Sequence, residues 1–384
     1  MSAYGVIKGR FCDMTYECII VGAGLSGLYT AYRLEQAGVN YRVLEARDRL
    51  GGRIHCTTRP LPGGEVARYD LGPAWVWPQL QPLIAELAQE LKVPLFPQRV
   101  QGDGLYEDMS TRGPVRLSTP SPHGDSFRIV HGAMSLIEAL ASRLAPDRVV
   151  LGQRVAGVVE HDGYIALQVA DGTAWQAERV IITMPPRLFA RNVACVPDLA
   201  PRLREHMLST PTWMAGHAKL LAFYEAPFWE SLGLSGEVFS RIGPLTEVYD
   251  ASPADEGDHA LFGFFGLAAD ARHQFGTETL IEHALTQLVR LFGPTARQVL
   301  DVHIKDWSED PLTATTDDAH SPAGHPAYGW PQGLPADWNG KLVFSGTEMA
   351  ATNGGYLEGA LEAGREAAKR VPVAPAERGK KGRD

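Results

Sequence analysis

Gly22, Gly24 and Gly27 form a G-x-G-x-x-G run between a short apolar stretch and a helical pattern, and Glu45 follows Gly27 by 18 residues. Glycines at these places serve a tight turn, close approach of backbone to a diphosphate, and close packing of helix on strand. The helix N-terminus then offers free amides and the positive end of its dipole to the phosphates. Glu45, at the end of the next strand, is placed to accept both hydroxyl hydrogens of an adenosine ribose. Arg47, Arg49 and Arg53 around Gly51-Gly52 add guanidinium forks beside a second point where backbone approaches a ligand. Lys219 stands in "HAKLLAF", a cation among apolar neighbours that needs a partner if buried. Close to the end, "GTEMAATNGGYLEGA" (Gly346 to Ala360) sets four glycines around Glu348, Glu358 and Tyr356.

The elements that must position these residues follow from periodicity. A strand over Tyr16 to Val21, a helix over Leu25 to Gln36 and a strand over Tyr41 to Leu44 make a βαβ start that favours dinucleotide binding. "KLVFSG" reads as a buried strand, and Tyr356 to Lys369 as a helix ending before Pro372. A chain of 384 residues suggests two domains with a cleft between them. The formal net charge of −9, with 36 basic and 45 acidic residues, excludes nucleic acid as main partner. The basic tail "ERGKKGRD" and residues 1–13 read as terminal extensions. Four sparse cysteines without C-x-x-C spacing predict a reducing, cytoplasmic setting, and no apolar run is long enough to anchor the chain in a membrane. H-E-x-x-H, G-x-S-x-G and P-loop patterns do not occur, and the twelve scattered histidines suggest no metal site.

Five blocks in order resemble the flavin-containing amine oxidase family, the group of monoamine and polyamine oxidases and L-amino-acid oxidases. They are "VGAGLSGLYTAYRL...VLEARDRLGGR", "DLGPAWVWPQLQPLIAELAQEL", "RVAGVVEHDGYIALQVADGTAWQAERVIITMPP", "HAKLLAFYEAPFW" and the late glycine stretch, together spanning about residues 15 to 371. The resemblance implies an α/β fold, an FAD-binding Rossmann-like domain of glutathione-reductase type with an interleaved α+β substrate-binding domain. It assigns 14–81, 130–207 and 318–371 to the first and 82–129 and 208–317 to the second. Candidates to touch FAD are Ser26, Glu45, Arg47, Arg53, Gly72, Ala74, Trp75, Val155, Glu348 and Leu357, with Gly52 and Gly346 beside them. Glu348 is expected on the ribityl chain.

The chemistry implied is hydride removal from the carbon bearing a neutral amine, to flavin N5, with oxygen restoring the flavin and giving hydrogen peroxide. The partners are then a small primary or secondary amine and O2. Lys219 matches the family's active-site lysine, which holds a water against N5, and Tyr356 matches one wall of the aromatic cage at the substrate face. Where some relatives carry a flavin-linking cysteine and the second cage tyrosine, this chain has Thr316 and Asp317, so FAD is expected to be noncovalent. Asp317 or Asp318 is a candidate to meet a substrate ammonium, and Tyr328 a candidate aromatic wall. Trp75, Trp77 and Trp213 are further apolar candidates. Only about thirty residues separate "AELAQELKVPLF" from "HGAMSLIEALASRL", where relatives insert helices. The pocket roof is therefore reduced, or completed by a second subunit in a homodimer. An L-amino-acid oxidase, which would need an arginine near the flavin, and a flavin-binding protein without turnover are the alternatives.

Overall fold

The strand leading into the glycine turn is longer than its apolar pattern. In a computed structural model that describes residues 10–61, 63–255, 257–319, 324–331 and 337–372, β1 spans Arg10–Val21. Arg10 and Phe11 pair with Thr173 and Ala174, so residues 10–13 belong to the sheet and are not an extension. Ladder pairing is made by backbone amides and carbonyls, which carry no hydropathy signal. Residues 1–9 and the tail from 373 lie outside the described part.

The run Cys18-Ile19-Ile20-Val21 is buried on both faces of a sheet, and its alternation sorts the side chains. Cys18 and Ile20 enter a core with Leu28, Leu136 and Ile137, whereas Ile19 and Val21 enter another with Val158, Trp175 and Phe189. β2 (Tyr41–Leu44) pairs parallel to β1, and α1 (Leu25–Gln36) connects them. Thr173–Ile182 lies parallel to β1 on its other side and also takes Leu342–Phe344 as a parallel partner. Among the described residues the sheet has eight strands, including the hairpin strands Val155–Glu160 and Ile165–Val169.

A second sheet of seven strands draws on residues 103–117 and 218–306. Its strand Ala218–Tyr224 pairs with His259–Phe265 on one side and Asp301–Asp306 on the other. Leu220, Ala222 and Tyr224 face the core made with helix Thr277–Phe292, while Leu221 and Phe223 pack on Ala67, Tyr69 and Leu71. The two-residue period therefore turns Lys219 toward the segment that follows the glycine motif.

Helix Pro82–Glu90 departs from its expected place in the substrate-binding piece 82–129. Ile84 and Leu87 pack into the core of the larger sheet. The amides of Leu83 and Ile84 each donate at 2.9 Å to the buried carboxylate of Glu358 on helix Leu357–Lys369. Helix-start amides lack intrahelical partners, and a carboxylate there satisfies both them and the dipole. Among the described residues, no helix is long and apolar enough to cross a membrane.

Candidate active site

One cleft, partly open to solvent, runs from the glycine turn to the second sheet. Gly22, Gly24, Ser26, Glu45, Arg47, Gly52, Arg53, Gly72, Ala74, Trp75, Val155, Lys219, Tyr356 and Leu357 all line it. These fourteen candidates come from six separate stretches of chain, so the fold brings together residues more than 300 positions apart. Gly27, Gly346, Glu348, Asp317 and Tyr328 do not line it.

At the glycine turn Gly22 has φ +108°, and a Cβ on Gly27 would collide with the Gly22 carbonyl. That collision is the packing reason for the third glycine. α1 starts at Gly24 without a side-chain cap and with no acid in its first turn, which leaves its amides for an anion. Glu45, 3% exposed, accepts the Ala23 amide on Oε2 at 2.7 Å and the Arg47 amide on Oε1 at 2.8 Å. Each carboxylate oxygen keeps accepting capacity beyond these bonds. Arg47 is aimed by Asp310 at 2.8 Å and Thr313 at 2.9 Å. Gly72 is a glycine because a Cβ there would strike the carbonyl of Arg53.

The expectation that Glu348 reaches the ribityl chain is modified. Its fully buried carboxylate lies behind the lining and takes both Arg53 terminal nitrogens, at 2.6 and 3.1 Å. Arg53 lines the cleft in its stead, since a buried carboxylate needs a bidentate cation more than a distant hydroxyl. Ser26 donates its hydroxyl to the Ser345 carbonyl, tying α1 to the late strand.

At the other end Lys219 is 2% exposed, and its Nζ donates to the carbonyls of Asp70 at 2.9 Å and Gly72 at 3.0 Å. It lies 4.2 Å from the centre of the Phe262 ring. Burial lowers its pKa from 10.5 to about 7; the Asp70 carboxylate opposes that shift and Arg128 adds to it. Asp70, raised by its own burial, is held by the Ala133 amide at 2.8 Å. Tyr356 caps the start of the last helix, 41% exposed, at the cleft wall.

Three candidates lie off the cleft lining. Asp317 pairs with Arg191 at 2.5 Å, and Asp318 with Arg187 at 2.6 Å while also capping its own short helix through Thr315. Each carboxylate is thus claimed by a nearby arginine. Tyr328 donates to the Pro211 carbonyl at 2.9 Å and packs behind Gly354. The ring lying on Tyr356 is His325, at 4.9 Å with its plane nearly parallel, and Trp213 is 4.6 Å from His325. Sequence reasoning missed His325, and also His217 and His123, which line the cleft, His123 lying flat on Trp75 at 4.0 Å. Isolated histidines in loops carry no spacing signal. Away from the cleft His273, Asp306 and Glu309 bring donor atoms within 4.8 Å of one another, but Asp306 is already bidentate with Arg272.

The uncapped helix, the turn a Cβ would fill, the buried acid and the arginines fit a dinucleotide, and the same cleft reaches Lys219. Comparison with known proteins agrees: the family described as flavin containing amine oxidoreductase matches residues 102–372, well over half of the chain. The chain belongs to this family. Residues 20–91 match an NAD(P)-binding Rossmann-like domain. A probable flavin-containing monoamine oxidase A from Dictyostelium discoideum is 24% identical, with 93% of this chain and 97% of that one covered. A putrescine oxidase from Kocuria rosea is 25% identical, covering 92% and 95%. In fold the chain is similar to putrescine oxidase bound to putrescine (TM-score 0.75, 20% identity, 93% and 99% covered). It is likewise similar to cyclohexylamine oxidase from Brevibacterium oxydans (TM-score 0.77, 20% identity, 93% and 99% covered). This flavin-containing amine oxidoreductase is an enzyme whose cofactor is FAD. Its glycine turn, Glu45 and the Arg47 and Arg53 forks are the groups that would hold it.

Proposed function

We propose that this enzyme oxidises a small primary or secondary amine with O2, giving an imine that hydrolyses to carbonyl product, and hydrogen peroxide. The observation that carries this reading is Lys219, buried and fixed by two carbonyls, in the same cleft as the glycine turn. When bound, FAD supplies the two-electron acceptor, and the protein supplies orientation and dryness. An ammonium has three donors, so the Asp70 and Gly72 carbonyls leave Lys219 one for a water in the cleft. With its pKa at about 7, Lys219 exchanges a proton with that water near neutrality. Trp75 and Phe264 line the cleft with apolar surface that strips water from the substrate and favours a neutral nitrogen. Tyr356 presents its ring to that nitrogen.

An amino-acid substrate is less well supported. Arg53 is committed to Glu348, Arg47 to Asp310, and Arg154, the remaining arginine of the described lining, adjoins Gln153, whose amide donates to the Glu45 carbonyl. The first two are held by acids, and Arg154 lies at the Glu45 end of the cleft. The missing cysteine at Thr316 supports noncovalent FAD. The test is anaerobic addition of amines and amino acids to the yellow protein, following bleaching of the flavin band and then peroxide on admitting air. Bleaching by amino acids but no amine refutes the proposal, and bleaching by nothing favours a flavin-binding protein without turnover.

A further inference from the structure

We infer that the substrate is a monoamine with an apolar, preferably aromatic, tail, and that His123 is a residue that determines this preference. The inference rests on the amine-oxidation reading above and narrows it to a substrate class.

The cleft around Lys219 is walled by rings. His123 lies on Trp75 at 4.0 Å with 21° between the planes, Trp77 lies 5.8 Å from His123, and Phe264 lies 6.5 Å from Trp75. All four line the cleft. The wall is fixed from behind: the Trp75 indole N–H donates to Gln98 at 2.9 Å, and Gln98 is itself anchored to the Asp250 carbonyl at 3.0 Å. What Trp75 offers a ligand is therefore ring surface and not a polar handle. Burial brings the His123 imidazole down to about 4, so it is a neutral ring at pH 7.

Among the described lining residues the single carboxylate is Glu45, at the cofactor end. Glu237 and Glu247 belong to the same sheet but do not line the cleft. Glu237 takes the Ser121 hydroxyl at 2.7 Å and Glu247 the Tyr249 hydroxyl at 2.8 Å. A diamine lying with one nitrogen near Lys219 would thus bring its second ammonium to aromatic surface, without a carboxylate. Rings attract a cation weakly, whereas burying an unpaired ammonium costs several kcal/mol. An apolar tail meets the same wall at a gain in buried area. Fold similarity to putrescine oxidase does not decide this, because the tail wall is made of side chains.

The test compares the holoenzyme's kcat/KM for 2-phenylethylamine, n-pentylamine and 1,5-diaminopentane, the last two differing in one ammonium. We expect n-pentylamine to exceed the diamine by on the order of 100-fold, and 2-phenylethylamine to exceed both. His123→Glu, which sets a carboxylate in the wall, should shift the ratio toward the diamine by at least roughly 10-fold, while His123→Phe keeps the wild-type order. As a readout without turnover, calorimetry with 2-phenylethanol, which has the tail and no amine, should show binding that Trp75→Ala weakens roughly 10-fold. A diamine used as well as n-pentylamine, or 2-phenylethanol binding that Trp75→Ala leaves unchanged, overturns this inference and leaves amine oxidation standing. If none of the three amines bleaches the flavin anaerobically, the amine-oxidation reading falls and this one with it.

Discussion

Replacing Lys219 by methionine removes a buried amine whose pKa burial lowers, and the sign of the effect follows from that shift. The unfolded chain binds this proton up to the ordinary 10.5, the folded one only up to about 7. Between those values the unfolded state holds more protons, so Lys219 makes stability rise with pH across that window. Its penalty is complete below about 7 and absent above 10.5. The slope approaches ~1.4 kcal/mol per pH unit. From pH 7 to pH 9 the gain is about 2 kcal/mol, reduced from the full slope because Lys219 is half-protonated at the start. Lys219→Met lacks this gain. Two bonds, to the Asp70 and Gly72 carbonyls, are lost in exchange; referred to the neutral amine, that cost is the same at both pH values and cancels in the change between them. Urea unfolding of both proteins at pH 7 and pH 9, at equal FAD content, isolates the term, since titrating groups that do not interact with Lys219 cancel in the difference. A wild-type advantage that grows by about 2 kcal/mol between the two pH values is expected. Parallel changes within about 0.5 kcal/mol would falsify the buried, shifted lysine. The same variant should slow flavin reduction or reoxidation at least roughly 10-fold. Unchanged rates of both would refute its catalytic role.

Arg53→Ala leaves the fully buried Glu348 carboxylate without its cation, and a loss of about 3 to 5 kcal/mol with reduced FAD content is expected. Urea unfolding and the flavin-to-protein absorbance ratio measure both, and Arg53→Lys should recover only part because it cannot bridge both oxygens. Glu358→Ala strips the acceptor from the Leu83 and Ile84 amides, which should cost about 1 to 2 kcal/mol in the same unfolding assay. Gly72→Ala drives a Cβ into the Arg53 carbonyl, so calorimetry should record a destabilisation of about 1 to 3 kcal/mol. Acid precipitation should leave the yellow colour in the supernatant; FAD remaining with the pellet contradicts noncovalent binding.

Much of the cofactor half was legible because its signals are local. Gly22, Gly24 and Gly27, the limits of α1 and the acid ending β2 lie within a few turns of chain, and each is dictated by backbone sterics or apolar period. Lys219 was legible for the same reason, as a cation breaking an apolar strand. The departures share the opposite cause. Glu348 bonds Arg53 across 295 positions, Asp317 is taken by Arg191 from 126 positions away, and helix Pro82–Glu90 joins the first core through Glu358. The carboxylates carry no mark of which cation will reach them, and the helix pattern says that a face is buried but not against what. The ring wall of the cleft is the extreme case, since Trp75, His123 and Phe264 come from three unconnected segments and only packing decides that the last two meet Trp75. The sequence by itself determined the cofactor motif, the family and the strand that carries the lysine, because these need only local geometry. Tertiary structure decided which charges neutralise one another and which rings line the cleft, because pairing and stacking depend on distances that no sequence interval encodes.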